Sequence, residues 1–166
     1  LVPHPAGQPQ AIPSDTPVIL VGRPAGVGAG YQRRSFDSEI DHLWGDDGDR
    51  RVWLVGGPGM GKSYTAGRVA ADALATRGKD RQTLVMWVDS AGAESVTAAY
   101  AEAFDRLREH GIPVRGGGES VEAKARALLD TLTTSTWRWL VVLDNADPAG
   151  VIEEGLVPWG RNPNGR

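Results

Sequence analysis

The sequence predicts an α/β fold, a mainly parallel sheet layered between helices, and three observations predict it. From residue 51 onward, short apolar runs of strand length alternate with longer segments whose apolar residues recur at helical spacing. The runs are apolar without interruption, as strands covered on both faces are. Their order, strand, helix, strand, helix, helix, strand, is what crossover connections between parallel strands produce.

Leu1 to Pro17 holds five prolines and little apolar periodicity, and reads as an extended linker or tail; residues 18–166 form the expected domain. Val18-Ile19-Leu20-Val21 is a short apolar run closed by Gly22, followed by a loop of small residues from Pro24 to Gly30. Asp37 to Trp44 reads as a helix with Ile40, Leu43 and Trp44 on one face. Val52-Trp53-Leu54-Val55 is expected as a strand buried on both faces. A helix follows in which Ala66, Val69, Ala70, Ala73 and Leu74 share a face, with Gly78 placed to cap its end. Leu84 to Val88 is the next strand. Val96, Ala99, Tyr100, Ala103, Phe104 and Leu107 mark a second helix ending before Gly111; Val121, Ala125, Leu128, Leu129 and Leu132 mark a third. Gly116-Gly117-Gly118 is the turn between them, and Trp137 to Leu143 is the last strand. Trp53, Trp87 and Trp139 are expected in the core, with Trp44 and Trp159 available to a partner.

Composition narrows the function. A length of 166 residues suits one domain, and 40% hydrophobic with 23% charged residues are globular values. No apolar run approaches the roughly 20 residues that span a bilayer. Eighteen basic against 21 acidic residues, a net charge of -3, are too balanced to imply a nucleic-acid partner. The absence of cysteine excludes disulfides and thiolate chemistry, and with no signal peptide at the start a cytoplasmic protein is expected. His4, His42 and His110 are too scattered for a metal cluster. The start at Leu1 without methionine and the polar end at Arg166 lead us to expect a piece of a longer polypeptide.

The chemistry concentrates at residues 56–63, Gly56-Gly57-Pro58-Gly59-Met60-Gly61-Lys62-Ser63, which match GxxxxGK[ST] at every fixed position, between an apolar run and an amphipathic segment. Glycines let the backbone curl so that its N–H groups meet phosphate oxygens, and a helix starting near Lys62 adds its positive end. Lys62 then offers a point charge to the β- and γ-phosphates, and Ser63 a hydroxyl to Mg²⁺. The alternative is a glycine-rich turn that binds nothing. A second metal ligand belongs at the carboxyl end of a neighbouring strand. Asp144, at the tip of Trp139-Leu140-Val141-Val142-Leu143, is expected to be that carboxylate rather than a turn or cap residue. Asn145 stands where many such ATPases carry a second carboxylate; an amide orients water but accepts no proton, so hydrolysis is expected to be slow unless Asp147 or another group acts. Asp89 either reaches the same crevice or caps the following helix.

Taken in order, these residues resemble the NB-ARC class of STAND NTPases, the nucleotide-switch modules of large signalling proteins. The likeness runs over about residues 18 to 160: Val21-Gly22 through Tyr31-Gln32-Arg33-Arg34, similar to the family's VG…FQPR lead-in; the glycine-rich loop; Met86-Trp87-Val88-Asp89-Ser90; and Leu143-Asp144-Asn145-Ala146. Arg33 stands where the family has proline. The resemblance is closest to bacterial members that continue into winged-helix and tetratricopeptide regions.

The resemblance implies a three-layer P-loop NTPase fold and an adenine nucleotide with Mg²⁺ as ligands. It implies a weak ATPase acting as an ATP/ADP switch, self-association within a larger protein, and an effector. By the resemblance Val21, Gly22, Gln32 and Arg34 lie near the base and ribose, and Gly57, Pro58, Gly59, Met60, Gly61, Lys62, Ser63 and Tyr64 hold the phosphates. Ser63 and Asp144 hold the metal, and Lys62, Asp144 and Asn145 act in hydrolysis. It also implies a sensor strand, inserted between the strand of Asp144 and that of Val52, for which the chain offers no apolar run; a gap or an open strand edge is therefore expected. The rival readings are an ordinary P-loop ATPase or small-molecule kinase, and a binding module without turnover.

Overall fold

A computed structural model describes residues 18–26, 32–45, 52–76, 83–146, 150 and 155–158. The expectations for residues 1–17, residues 27–31, Gly78, Asp147, Trp159 and the Trp44 side chain lie outside them. The elements are β1 (Ile19–Val21), α1 (Ser35–Gly45), α2 (Lys62–Ala75), β2 (Leu84–Asp89), α3 (Ala93–Glu109), α4 (Val121–Thr134) and β3 (Trp139–Asp144). The strands form one parallel sheet in the order β1-β2-β3, with Ile19 opposite Leu84 and Leu84 opposite Trp139.

The period of two along each strand sorts the side chains into two layers. Ile19, Val21, Leu84, Met86, Val88 and Trp139 enter one core with the apolar faces of α3 and α4, where Val96, Tyr100, Phe104, Leu107, Leu128 and Leu132 are at most 1% exposed. Val85, Trp87 and Leu140 enter a second core on the opposite face, against Ala70 and Ala73 of α2. The uninterrupted apolar runs are explained: β2 is buried from Leu84 to Val88 because both faces are covered. The small residues of α2 let it lie close; a Cβ on Gly67 would fall 2.4 Å from the Ala25 carbonyl oxygen.

Local signals set the helix ends. Ser120 Oγ accepts the Ala123 N–H at 3.2 Å and caps α4. The α3–α4 pair is further joined by Lys124 Nζ on Asp105 at 2.7 Å. Trp139 Nε1 donates to the Leu132 carbonyl at 2.9 Å, so the last turn of α4 fixes the first residue of β3.

Tyr100, fully buried, donates its hydroxyl to the Leu156 carbonyl at 2.7 Å and holds the segment after β3 to the core. Burial raises its phenol above the ordinary 10.0. Because the folded state favours the neutral form, this contribution is intact below the ordinary value and is lost as pH rises beyond it. Tyr100→Phe is expected to cost about 1 kcal/mol in urea unfolding at neutral pH. It should also flatten the loss of stability above about pH 10.

One element departs from the sequence expectation. Residues 52–55 form no strand, and Val52, Trp53 and Val55 are 46%, 43% and 89% exposed. The physical reason is the lack of a hydrogen-bonding neighbour: among the described residues β3 pairs with β2 alone. Residues 52–55 and β3 instead line a common cleft of about 630 Å³. Apolar character favours burial, but a strand also needs partners for its N–H and C=O groups. Trp87 and Trp139 are buried at 8% and 3%, as expected; Trp53 is not.

Candidate functional site

The site is assembled where α2 begins and β2 and β3 end. The backbone turns through the left-handed region at Gly59 (φ +74) and Gly61 (φ +83), a conformation that glycine adopts without the Cβ clash of other residues. Gly61 is the residue preceding α2, and no side chain caps that helix. Its first N–H groups thus begin at the loop, with the positive end of the helix dipole.

Lys62 folds back over the loop and donates to the carbonyls of Gly56 and Gly57 at 2.7 and 2.9 Å. Ser63 Oγ donates to Asp144 Oδ1 at 2.8 Å, half-buried. The same carboxylate oxygen accepts the Asn145 N–H at 3.2 Å, and Ser90 ties the Asp144 carbonyl through its N–H at 2.8 Å and its hydroxyl at 2.7 Å. The tips of β2 and β3 are thereby locked together under the loop. Asn145 has φ 60, which turns its amide back so that Nδ2 donates to Asp89 Oδ1 at 3.3 Å. Of the glycine-rich loop, Gly56 to Met60 is exposed and Gly61 to Tyr64 half-buried, and Tyr64 lines the cleft beside β3.

The lead-in residues are divided. The Val21 side chain is sealed in the core at 1% exposure, and Gly22 (φ +77) lies so near β2 that a Cβ there would fall 1.9 Å from the Trp87 carbonyl oxygen. Gln32 is exposed. Arg34 alone reaches the loop: its Nη1 donates to the Met60 carbonyl and its guanidinium crosses Gly61, where a Cβ would fall 2.6 Å from Nη2. The structure thus joins Lys62, Ser63, Asp144, Asn145 and Arg34 around the loop, while Val21, Gly22 and Gln32 do not line the cleft.

Two features escaped the sequence reading. Asp37, fully buried, accepts the Arg34 N–H at 2.8 Å, so the start of α1 fixes the backbone of Arg34. Arg68 of α2 pairs with Asp41 at 2.8 Å and with Asp72 at 3.0 Å and lies 3.9 Å from Asp37, joining α1 to the helix that follows the loop. The only sequence signal was the acidic pair at positions 37 and 41, one helical turn apart. Among the described residues, no three His, Cys, Asp or Glu side chains form a metal-holding group, and no helix is long and apolar enough to cross a membrane.

Comparison with protein-family models, with curated proteins and with solved structures found no match. The molecule stands as a mixed α/β protein with a three-stranded parallel sheet and a glycine-rich loop opening a helix beside two strand tips.

Proposed function

We propose that this chain is the nucleotide-binding part of an ATP/ADP switch of the NB-ARC class of STAND P-loop NTPases, with slow Mg²⁺-dependent ATP hydrolysis. The observation that supports this most is the 2.8 Å bond between Ser63 and Asp144, which joins the hydroxyl at a helix start to a carboxylate 81 residues away at a strand tip. A glycine-rich turn that binds nothing has no use for that pairing, nor for a lysine folded over the same loop. Backbone amides and one lysine bind a polyanion without a basic surface, in keeping with a net charge of -3.

The donor set fits Mg²⁺. One hydroxyl and one carboxylate are hard oxygen ligands, too few for a closed cage but suited to a cation that keeps waters and shares phosphate oxygens. Ser63 and Asp144 would hold it, and when bound it offsets the charge of the phosphates. The remaining tasks belong to the chain. Lys62 exchanges the Gly56 and Gly57 carbonyls for phosphate oxygens, Arg34 braces the Met60 carbonyl, and Ser90 holds the Asp144 backbone in line. Adenine as the base follows from the resemblance, although Val21, Gly22 and Gln32 lie off the cleft, and no guanine-reading NKxD motif is present in the sequence.

A switch needs unequal affinity for two states. Calorimetry with Mg-ATP, Mg-ADP and Mg-GTP is expected to give binding of both adenine nucleotides and none of GTP; silence with both adenine nucleotides overturns the assignment. Hydrogen exchange is expected to protect α1 and loop 56–63 differently in the ATP and ADP states. Identical patterns would leave nothing for a switch to act on, and the same site would then serve as a binding module.

A further inference from the structure

We propose that Asp89 is the catalytic residue that takes the proton of the attacking water, the task for which Asn145 has no basic oxygen. The inference rests on the nucleotide reading above. Asp89 and Asp144 are partners in the β2–β3 register. Counting back by two from each, Trp87, Val85, Val142 and Leu140 all belong to the layer that faces α2. Strand alternation therefore sends the Asp89 carboxylate to the same side of the sheet as Asp144, the side on which Ser63 opens α2.

Two structural roles open to an aspartate at this position, capping the next helix and ion pairing, are not used among the described residues. Asp89 does not cap α3, whose preceding residue is Gly92 with no side-chain cap. Among the described residues it makes no ion pair; its partner is the Asn145 amide on Oδ1, and the residue is exposed. Asp144 is already given to the metal in this reading, and its Oδ1 accepts from Ser63 and from the Asn145 N–H. Asn145 has left ordinary backbone space, at φ 60, in reaching Asp89. The amide thus positions the neighbouring carboxylate, and one residue orients what the other deprotonates.

The step balances. The water oxygen bonds to the γ-phosphorus, the bond from that phosphorus to the β–γ bridging oxygen breaks with its electron pair staying on ADP, and the water proton passes to Asp89. Release of phosphate and of that proton to solvent restores the carboxylate. Lys62 faces the phosphate charge throughout.

The test compares the wild-type chain with Asp89→Asn and Asp89→Glu by calorimetric Mg-ATP affinity, thermal midpoint, phosphate release, and mass spectrometry of the nucleotide retained after incubation with Mg-ATP. Asp89→Asn is expected to keep affinity within about twofold and the midpoint unchanged, and to slow phosphate release by roughly 100-fold or more. It should retain ATP where the wild type retains ADP, and Asp89→Glu should recover a measurable part of the rate. Wild-type phosphate release from Asp89→Asn overturns the proposal, as does a wild type that binds Mg-ATP without ever hydrolysing it. A wild type that binds no nucleotide overturns the site reading itself, and the proposal with it, and the affinity measurement separates that outcome from the other two.

Discussion

Lys62→Ala is expected to weaken Mg-ATP binding by roughly 2 to 4 kcal/mol, the cost of a lost charge-assisted phosphate contact. The ammonium group donates to the Gly56 and Gly57 carbonyls at 2.7 and 2.9 Å. These exposed contacts return to water when the side chain is removed, so the fold itself should lose little. The variant therefore separates binding from stability. Calorimetry should record the loss of affinity while the unfolding midpoint without nucleotide stays near that of the wild type. Unchanged affinity would end the phosphate-loop assignment.

Asp144→Ala is the second large effect, and its signature is metal dependence. The carboxylate accepts from Ser63 and from the Asn145 N–H, and its removal deletes the anionic group proposed for the metal and releases Ser63 from its partner. Mg-ATP binding is expected to weaken by roughly 2 to 3 kcal/mol, and added Mg²⁺ should no longer tighten it. ADP binding without metal should shift by less than roughly 0.5 kcal/mol. Calorimetric titrations with and without EDTA distinguish these cases, and a variant that still gains affinity from Mg²⁺ would remove Asp144 from the metal site.

β2, β3 and all of the helices except the exact start of α1 were legible as apolar period, because both faces of the sheet and one face of each helix are covered; Ile19–Val21 was read only as a short apolar run, and the structure makes it β1. The run at 52–55 was not, for a definable reason. Its spelling reports that its side chains favour burial; whether a backbone neighbour exists is decided by other parts of the chain, and β3 offers it none. At the site, the loop was legible because the motif writes its own spacing, and Asp144 because it ends an apolar run of strand length. The grip of Arg34 on Met60 and the Arg68 bridge between α1 and α2 join positions 26 or more residues apart with no periodic signal. Asp89 fell between the two: its place at a strand tip could be read, but its choice of Asn145 over the start of α3 depends on the backbone of Asn145.

The all-parallel order of the sheet also governs how this chain acquires its shape. No two of the described strands are joined by a hairpin; Ile19 waits for Leu84, and Leu84 for Trp139, each across a stretch of helix-forming chain. Such pairings must close long loops before they return any stabilisation, which slows folding. The α3–α4 pair, adjacent in sequence and joined by Lys124 on Asp105, is the part able to form early. On a ribosome, Ser63 leaves the tunnel long before Asp144, so the Ser63–Asp144 pair is completed only when β3 has been made.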